Sequence, residues 1–474
     1  MIRSDVGLES LVEFLKKVDN AFPVYISKKT DIDEYACKIH KYGKTLAYMD
    51  NGEIVGMALY YDNNHESKIA YLSMIAVLKD FRGQGIASEL LDTFMRKSRH
   101  AGMLFVELYT HKTNKQAIKL YEKFGFSSST DESRPDDIKF SISLVQGNAY
   151  SILVTAIGSF AADIVIKNLQ KAGHFVIGTD IHAKELIVDA YHVDRFFQSP
   201  NAHETGAYIE FIRRLCESEN IQVIIPLTDV EIDALNVHRQ LFEQNGIKVL
   251  MSSRKTIEIC RNKQVLHDYL LEHSIQEVIP TSRMPDVRED SLSYPVVCKP
   301  LNGRSSEGLY IVKSEEEFLR VKSTINCNNY IVQPFIKGDI ITVDVVRQPL
   351  TNQCIAVPRK ELLRTLSGAG TSVHVFSDKQ IESLSIGIAN LLDIIGCANF
   401  EFILDEHGKY HFIECNARFS GGVEFSCMSG YDCVTNHLRC FLGEPIDNSC
   451  CIEEQYIARK YEEFVTQKRL SVSE

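Results

Sequence analysis

The hydrophobic pattern of the chain changes its period several times before residue 145. Apolar residues at helical spacing in residues 8–15 predict a first helix, and two runs, TLAYMD and EIVGMALYY, predict a β-hairpin across the turn-forming pair Asn51-Gly52. Further strands are predicted at IAYLSMIAV, FVELYTH and DIKFSISL, with helices after the first two and an exposed loop at SSSTDESRPDD. Residues 1–145 are therefore predicted to form a mixed sheet with flanking helices.

A different pattern begins at Tyr150. The segments SILVTAIG, DIVIKNLQKAG and HFVIGTD alternate strand, helix and strand, and VIIPLTD and KVLMSS continue this alternation, which predicts a helix-covered parallel lobe over residues 150–255. From about Tyr294 the pattern is richer in strands, which predicts a mixed α+β region over residues 256–445. Residues 146–149 are interpreted as a linker and residues 446–474 as a C-terminal extension, so the predicted fold class is multidomain, α/β and α+β.

Composition narrows the range of partners. The 474 residues carry 52 Lys and Arg against 63 Asp and Glu, and a net charge of −11 disfavours an electrostatic grip on nucleic acid or on an anionic membrane. No apolar run approaches the ~18–20 residues that span a bilayer, and the first residues lack the order of a signal peptide, so we expect a cytoplasmic protein. The 13 cysteines include no C-x-x-C pair, which argues against a disulfide framework or a zinc knuckle.

The stretch FRGQGIASELL, residues 81–91, places two glycines where a strand-like run gives way to a helix. Glycines let backbone N–H groups approach an anion, and the start of a helix offers unpaired N–H groups and a positive dipole end. Such a turn is by itself weak evidence, since most glycine turns only connect elements. A Walker P-loop is excluded because no Gly-Lys-Ser/Thr follows.

Two motifs in residues 1–145 together resemble the GCN5-related N-acetyltransferase (GNAT) family. The first is RGQGIA, and the second is NKQAIKLYEKFGF, which supplies Asn114, Tyr121 and Gly125. The resemblance implies that acetyl-CoA binds between two splayed strands, one of them at residues 74–77, and on the glycine loop. The implied acetyl-CoA residues are Ile75, Val77, Arg82, Gly83, Gln84, Gly85, Ile86, Ala87 and Asn114.

The same resemblance implies that Tyr121 protonates the departing CoA sulfur as a general acid. Two structural alternatives stay open: Tyr121 as a core tyrosine on an apolar helix face, and Asn114 as a helix N-cap, a role that the family combines with cofactor binding. The base that deprotonates the amine is not identified, and Glu107 and His111 are the candidates. The identity of the acyl acceptor stays open as well.

Residues 150–445 resemble the ATP-grasp superfamily, in its carbamoyl-phosphate-synthase-like and D-alanine–D-alanine-ligase-like branches. The resemblance is carried, in order, by RNKQVLHDYL, YPVVCKPLNGRSSEG and FEFILDEHGKYHFIECNARFSGG. It implies a parallel lobe in front of two α+β lobes that clamp ATP. The implied ATP residues are Lys263, Lys299, Arg304, Ser305, Ser306, Gln333, Phe335, Ile336 and Asp339.

The residue types fit the chemistry of ATP. Two lysines neutralise phosphates, and Mg²⁺, or Mn²⁺ as an alternative, prefers oxygen ligands, which Glu401, Glu414 and Asn416 offer. The last two alternate along one strand, so their side chains are predicted to share a face. The resemblance further implies catalytic roles for Arg418, on the transferring phosphoryl group, and for Arg359, on the substrate side, although a solvated arginine is an alternative for Arg359.

Several positions depart from the family pattern or stay open. The hinge has Gln333 where many relatives have Glu, and Asp339 is a substitute for the usual ribose-binding acid. Asn262 replaces an Asp before the first lysine. Two further interpretations concern the parallel lobe: Asp229 and Glu231 as a substrate edge, and Gly158 with Asp180 as a loose imitation of a dinucleotide fingerprint.

The resulting prediction is a bifunctional enzyme, an acetyl-CoA-dependent N-acyltransferase fused to an ATP- and Mg²⁺-dependent carboxylate–amine ligase that works through an acyl phosphate. The expected partners are small-molecule carboxylates and amines, amino acids above all, with a homodimer as an option. One alternative keeps the ligase and makes the N-terminal domain an acyl-CoA-binding regulatory module. A nicotinamide-dependent oxidoreductase is the weakest alternative.

Overall fold

The computed structural model describes residues 2–4, 6–64, 67–144, 149–303, 307–365, 368–448 and 452–466. Its described residues form four sheets that follow one another along the chain. Among these residues, none of the helices combines the length and the apolarity needed to cross a bilayer.

The N-terminal region, residues 2–144, is built on a seven-stranded sheet of order β1-β2-β3-β4-β5-β7-β6. Only the contact between β4 and β5 is parallel. The strands are β1 Ile2–Ser4, β2 Lys44–Asp50, β3 Glu53–Tyr61, β4 Ile69–Val77, β5 Phe105–His111, β6 Ser127–Thr130 and β7 Asp137–Ser143. The helices are α1 Leu8–Val18, α2 Ile26–Lys29, α3 Ile32–Tyr42, α4 Ile86–His100 and α5 Lys115–Lys123.

Local sequence explains most of this region. Asn51 and Gly52 both have positive φ, 46° and 81°, as a two-residue hairpin turn between β2 and β3 requires. Helix α4 buries Leu90, Leu91 and Phe94 on one face against the sheet, and burial of each such side chain contributes about 1.5–3 kcal/mol. The loop predicted at SSSTDESRPDD is wrong at its start, because β6 pairs with β7 there although its four side chains are exposed and polar. Tertiary pairing overrides the weak local preference of Ser and Thr.

The parallel lobe, residues 149–253, has the predicted parallel sheet, in the order β10-β9-β8-β11-β12. Its strands β8 and β9 lie at the centre and are buried along their whole length, as strands covered by helices on both faces are. The strands are β8 Ser151–Val154, β9 Phe175–Asp180, β10 Arg195–Gln198, β11 Val223–Ile225 and β12 Lys248–Val249. The helices are α6 Ala162–Lys171, α7 Thr205–Ser218, α8 Asp229–Val237 and α9 Arg239–Glu243.

Two antiparallel sheets follow, a four-stranded one of order β13-β16-β14-β15 and a six-stranded one of order β21-β20-β17-β18-β19-β22. The strands of the first are β13 Ser282–Arg283, β14 Val296–Pro300, β15 Tyr310–Val312 and β16 Tyr330–Pro334, and those of the second are β17 Gly338–Gln348, β18 Gln353–Arg364, β19 Gly370–Val375, β20 Gly396–Asp405, β21 Tyr410–Asn416 and β22 Gln455–Ala458. The helices are α10 Arg254–Arg261, α11 Lys263–Glu272, α12 Glu315–Thr324, α13 Lys379–Leu391, α14 Val423–Met428 and α15 Cys433–Leu442. Strand β22 belongs to the predicted C-terminal extension, which therefore completes this sheet at its edge.

The N-terminal region docks on the parallel lobe through α4. Arg96 donates from Nη1 to both carboxylate oxygens of Asp194 at 2.9 Å, and both side chains are almost fully buried. Arg99 donates to the carbonyl oxygen of Gly173 at 2.8 Å, and Lys97 to that of Asp194 at 2.9 Å. The helix that begins at the glycine loop therefore also anchors the region to the rest of the chain.

Candidate active sites

A cavity of about 800 Å³ lies between the parallel lobe and the two antiparallel sheets. Its walls come from the carboxyl ends of strands of the parallel lobe, from the start of α11, from β14, from the segment after β16 and from β17, β18, β20 and β21. Ten residues predicted from the sequence line it: Lys263, Lys299, Gln333, Phe335, Ile336, Arg359, Glu401, Glu414, Asn416 and Arg418. Segments that lie far apart in the chain, from Ser159 to Gly422, thus meet at one place.

The predicted metal ligands lie at one corner of this cavity. Glu401 on β20 pairs directly with Glu414 on β21, and Asn416 lies two residues further along β21, where its Nδ2 donates to Oε1 of Glu414 at 3.2 Å. Burial and the negative charge of Glu414 together raise the pKa of Glu401. Two carboxylates opposite one another repel unless a cation lies between them, so this all-oxygen set fits Mg²⁺.

The two predicted lysines face the same corner. Lys263 Nζ lies 3.2 Å from Oε2 of Glu414 and donates to the carbonyl oxygen of Gly303 at 2.9 Å. Burial lowers the pKa of Lys299 to about 8. Burial acts to raise the pKa of Glu414, but the two lysines outweigh it and the pKa is lowered. Asn262 caps α11 in place of the usual acid, because its Oδ1 accepts from the N–H groups of residues 264 and 265.

Arg418 joins the corner to the parallel lobe. It binds Asp229 through two bonds, Nε to Oδ1 at 3.0 Å and Nη2 to Oδ2 at 2.7 Å. Asp229 is the first residue of α8 and lines the cavity, as the predicted substrate edge requires. Glu231 does not line it: its Oε2 accepts from the hydroxyls of Thr155 and Thr228 at 2.9 Å inside the lobe.

Arg359 is buried, so the solvated alternative is wrong. Its Nη1 lies 2.5 Å from Oδ2 of Asp344, its Nε donates to Oε1 of Glu361 at 3.2 Å, and its Nη2 donates to Ser420. Two carboxylates already compensate its charge, which speaks against the predicted direct role on substrate. Glu361 is a further residue of this cluster that the motifs do not include, although strand alternation places residues 359 and 361 on the same face of β18.

The hinge differs from its prediction at one position. Phe335 and Ile336 line the cavity, and Gln333 is held by a bond from its Nε2 to the hydroxyl of Thr281 at 2.7 Å. Asp339 is not among the lining residues, and its carboxylate binds Lys360 at 2.6 Å. Strand β17 explains this, because its even-numbered residues 338, 340 and 342 line the cavity and its odd-numbered ones face away. The three remaining predictions, Arg304, Ser305 and Ser306, lie outside the described residues.

The dinucleotide interpretation fails in the parallel lobe. The backbone N–H of Gly158, which would face a pyrophosphate, donates to Oδ2 of Asp180 at 2.8 Å. Asp180 also accepts from the N–H of His182 at 3.0 Å. A carboxylate of the protein therefore occupies the position at which a nicotinamide cofactor would place its phosphates.

The second candidate site lies in the N-terminal region, where β4 and β5 part. Their pairing covers residues 69–72 of β4 and ends at the pair Leu72 and Leu108, although β4 continues to Val77. The splay implied by the resemblance is therefore present. Among the described residues, no strand pairs with the β5-facing edge of residues 73–77, which include Ile75 and Val77. An extended ligand can pair with such an edge.

The glycine loop follows β4 and begins α4. Gly83 and Gly85 have φ of 82° and 84°, and Gly85 occupies the N-cap position of α4. A Cβ at either glycine would meet no atom within 4 Å, so the left-handed backbone, and not local crowding, requires glycine. The first N–H groups of α4 follow directly, in the order Ile86 and Ala87, after the exposed Gln84.

Three polar residues of this site have structural partners. Arg82 donates from Nε to the carbonyl oxygen of Val77 at 3.0 Å, and Asn114 caps α5 by accepting from the N–H of Ala117 at 3.3 Å. Tyr121 is only 5% exposed, its ring centroid lies 5.4 Å from that of Phe140, and burial raises its pKa. Its phenol thus keeps its proton at neutral pH, which an acid needs, while its ring belongs to the core.

The two candidate bases have partners as well. Glu107 forms an ion pair with Lys139 at 2.8 Å, and Nδ1 of His111 lies 2.8 Å from the hydroxyl of Thr113. Neither contact singles out one of them as the acceptor of an amine proton, so the choice stays a prediction.

Family models match three segments of the chain. Residues 11–126 match the acetyltransferase (GNAT) family, residues 152–250 the PylC-like N-terminal domain, and residues 326–464 a family described as ATP-grasp in the biosynthetic pathway with Ter operon. The chain joins a GNAT domain to an ATP-grasp module. Both resemblances inferred from the motifs are confirmed.

Curated relatives of the ATP-grasp module include D-alanine–D-alanine ligases. The protein from Francisella tularensis subsp. novicida is 26% identical over 189 residues, which cover 37% of this chain and 63% of that ligase, and a ligase from Francisella philomiragia has the same values. The chain thus matches less than two thirds of the length of these relatives.

Solved structures share the fold of the ATP-grasp module. A biotin carboxylase–β,γ-ATP complex from Campylobacter jejuni has a TM-score of 0.56 at 16% identity, with 64% of this chain and 74% of that chain covered. An N5-carboxyaminoimidazole synthetase from Staphylococcus aureus, in complex with ADP, has a TM-score of 0.52 at 15% identity, with 64% and 80% covered. At these identities the likeness concerns the fold alone.

Proposed function

We propose that the ATP-grasp module is an ADP-forming ligase that joins a small carboxylate to an amine through an acyl phosphate. The observation that carries the proposal is the meeting of Glu401, Glu414 and Asn416 with Lys263 and Lys299 at one corner of a cavity of about 800 Å³. Cavities of about 300–1,000 Å³ hold small ligands and cofactors, so the volume suits ATP together with a small substrate.

Each residue of the corner has a role in this proposal. Lys263 and Lys299 neutralise the phosphates, and Glu401, Glu414 and Asn416 hold the metal. ATP would supply the phosphoryl group, and Mg²⁺ would withdraw negative charge from its oxygens so that the carboxylate can approach the phosphorus. Arg418, held in place by Asp229, stabilises the oxygens of the phosphoryl group as it passes to the substrate. In the final step the amine displaces phosphate.

We also propose that the GNAT domain transfers an acetyl group from acetyl-CoA to an amine. The open backbone edge of residues 73–77 and the exposed glycine loop, residues 83–85, that leads into α4 support the binding of pantetheine and pyrophosphate. Tyr121 is proposed as the acid that protonates the departing sulfur, since a tyrosine phenol is protonated at neutral pH and burial raises the pKa of this one further. Both activities then concern small amines and carboxylates.

The experiment for the ligase measures ADP release with ATP, Mg²⁺ and a panel of amino acids, followed by mass detection of the products. We expect ADP release that depends on both a carboxylate and an amine, together with a higher melting temperature in ATP–Mg²⁺. Absence of turnover with every pair, in protein that binds ATP–Mg²⁺, would contradict the ligase.

A second function of the GNAT domain is favoured by its docking. Helix α4 begins at the proposed CoA loop and ends on the parallel lobe through Arg96, Lys97 and Arg99, so an acyl-CoA-binding regulatory module has a direct physical link to the ligase. Tyr121→Phe separates the two functions, because it keeps the ring in the core. An acetyltransferase loses transfer by about 100-fold or more. A regulatory module keeps any effect of acetyl-CoA on ADP release.

A further inference from the structure

One carboxylate of the cavity wall has an oxygen without a partner. The Glu361 side chain on β18 is 4% exposed, and its Oε1 accepts from Nε of Arg359. Its Oε2 is buried and has no hydrogen-bond partner among the described residues, and Glu361 lines the cavity. A buried carboxylate oxygen left in this way is costly, and a substrate is a natural partner for it.

The charges around Arg359 do not balance. Its single positive charge faces two carboxylates, Glu361 and the fully buried Asp344. Asp344 also accepts from the hydroxyl of Ser426 at 2.7 Å, its Oδ1 has no hydrogen-bond partner among the described residues, and it is not a lining residue of the cavity. Counted by formal charges, one arginine and two carboxylates leave one net negative charge, and Glu361 is the carboxylate at the cavity wall.

Neighbouring cations do not bond to Glu361. Lys360 binds Asp339, and Arg364 donates to the carbonyl oxygen of Gly368 and lies 3.5 Å from Glu401. Arg459 donates from Nη2 to the carbonyl oxygen of Gly421, and its buried Nη1 has no hydrogen-bond partner among the described residues. Among the described residues, no cation other than Arg359 forms an ion pair with Glu361. A positive charge from outside the protein would complete the cluster.

Space for the carboxylate is made by Gly370. A Cβ at this glycine, on β19 opposite β18, would overlap Oε2 of Glu361. Gly370 is not among the glycines with positive φ, so glycine is needed here because there is no room for a side chain and not because of the backbone conformation. Gly370 lines the cavity too, so both residues border the same wall.

We propose that Oε2 of Glu361 binds the protonated amino group of an amino-acid substrate, an inference that rests on the ligase function proposed above. An ammonium group matches one net negative charge and can donate to a single free oxygen. A divalent cation fits less well, since Mg²⁺ needs several oxygen ligands and the set for it lies at Glu401, Glu414 and Asn416. Glu361 thereby determines specificity for amino acids over plain carboxylates.

The test compares Glu361→Gln with the wild-type full-length protein. For each of several α-amino acids and the same carboxylates without the amino group, kcat/KM is measured by ADP release. We expect the preference for the amino acid to fall by about 30-fold or more in the variant, because one partner of a buried charged hydrogen bond is lost. The variant is expected to fold, since it leaves Arg359 and Asp344 as a balanced pair.

Two further variants sharpen the result. Gly370→Ala displaces the carboxylate without removing its charge and should also reduce the preference. Glu454→Gln is the matched control, because Glu454 pairs with His374, neither residue lines the cavity, and the Glu454 side chain is 65% exposed. It should keep the wild-type preference.

Each outcome decides between the proposals. An unchanged preference in Glu361→Gln, with an active wild-type protein, overturns the role of Glu361 and leaves the ligase intact. A shift in the Mg²⁺ dependence of ADP release with no change in preference also overturns it, in favour of a metal ligand. A wild-type protein that binds ATP–Mg²⁺ and releases no ADP with any carboxylate contradicts the ligase and this inference together.

Discussion

The cavity of the ATP-grasp module and the glycine loop of the GNAT domain were both predicted from sequence motifs, yet the first is built mainly from side chains and the second mainly from backbone. In the cavity, charged side chains from distant segments meet and compensate one another, as Lys263 and Glu414 do at 3.2 Å. At the glycine loop, the contribution comes from backbone: two glycines with positive φ, a helix start and a strand edge that lacks a neighbour.

Because of this difference, polar motif residues indicate function in the cavity, whereas in the GNAT domain they also have structural roles. Around the cavity, removal of a side chain removes chemistry, since the backbone there only positions it. In the GNAT domain, Arg82 and Asn114 are bound to backbone groups of their own region, so their motif positions are also structural. The comparison predicts that substitutions of charged side chains strongly reduce activity at the cavity. At the glycine loop, substitutions that change the backbone conformation, such as those of glycines with positive φ, should matter instead.

The largest effect is expected for Glu414→Gln. The variant removes the charge of one of two paired carboxylates and the ionic partner of Lys263, so the proposed metal would lose a ligand and the lysine would lose its position. ADP release should fall by at least about 1,000-fold, since charge stabilisation by a bound metal is worth several kcal/mol. Acetyl transfer by the same preparation should stay at the wild-type rate.

The control for this variant is Glu406→Gln, in the turn between β20 and β21, where the side chain is 74% exposed. It should change neither activity. Equal ADP release by the Glu414 and Glu406 variants would mean that the charged corner is not the site of phosphoryl transfer, and the contrast between the two regions would disappear.

The sequence predicts those features that depend on local patterns, such as the alternation of side chains along a strand. Alternation along β21 correctly placed Glu414 and Asn416 on one face, and the parallel sheet followed from the strand–helix alternation. Alternation along β17 would have shown that Asp339 and the cavity-lining Ile340 face opposite ways, but the sequence does not say which of the two faces the cavity.

Other errors have their cause in tertiary structure. The burial of Arg359 and its compensation by Asp344 depend on the register of β17 and β18, which a single sequence does not reveal. For the same reason Glu361 was missed. The strand β6 was missed because Ser and Thr have little preference of their own, and only pairing with β7 defines it.

The second-largest effect concerns the contact that joins the two regions. Arg96→Met leaves the carboxylate of Asp194, which is 1% exposed, without its cation, and breaking a buried pair in this way costs about 3–5 kcal/mol. We expect the domains to melt in two separate transitions and the chain to be cut faster by protease near residue 149. Calorimetry and limited proteolysis measure these changes.

Lys112→Met is the control for the interface, because its ion pair with Asp136 is exposed and lies on the surface of the GNAT domain. A single, unshifted transition in Arg96→Met would show that the regions do not depend on this pair. This outcome would also count against the regulatory alternative, which relies on the contact between α4 and the parallel lobe.

A smaller effect is expected on the pH dependence of stability, and it concerns Glu231, a buried carboxylate that does not line the cavity. Burial raises the pKa of Glu231 to about 7 from an ordinary 4.5. The folded state therefore holds this proton more tightly than the unfolded state, so stability falls as the pH rises from about 4.5 to about 7 and then levels off. The loss should amount to about 3 kcal/mol.

Glu231→Gln should abolish this decline, since Gln can accept from Thr155 and Thr228 without a charge. Urea unfolding at a series of pH values measures it, with the exposed Glu243→Gln as the control. A decline that persists in Glu231→Gln would assign it to another group. Wild-type ADP release by the variant would support a structural carboxylate as distinct from those of the cavity.

The smallest effect addresses the backbone site and uses two glycines of one helix. Gly85 precedes α4 and Gly102 follows it, their φ values are 84° and 82°, and a Cβ at either would meet no atom within 4 Å. Alanine at each position should therefore cost the same stability, about 1 kcal/mol, through strain of the left-handed conformation. Only Gly85→Ala should weaken acetyl-CoA binding, by about tenfold, because of the two glycines only Gly85 adjoins the N–H groups proposed to bind the pyrophosphate. Calorimetric titration with acetyl-CoA measures this difference in affinity. Equal weakening by both variants would mean that the affinity depends on the stability of α4 as a whole and not on the backbone conformation at its start.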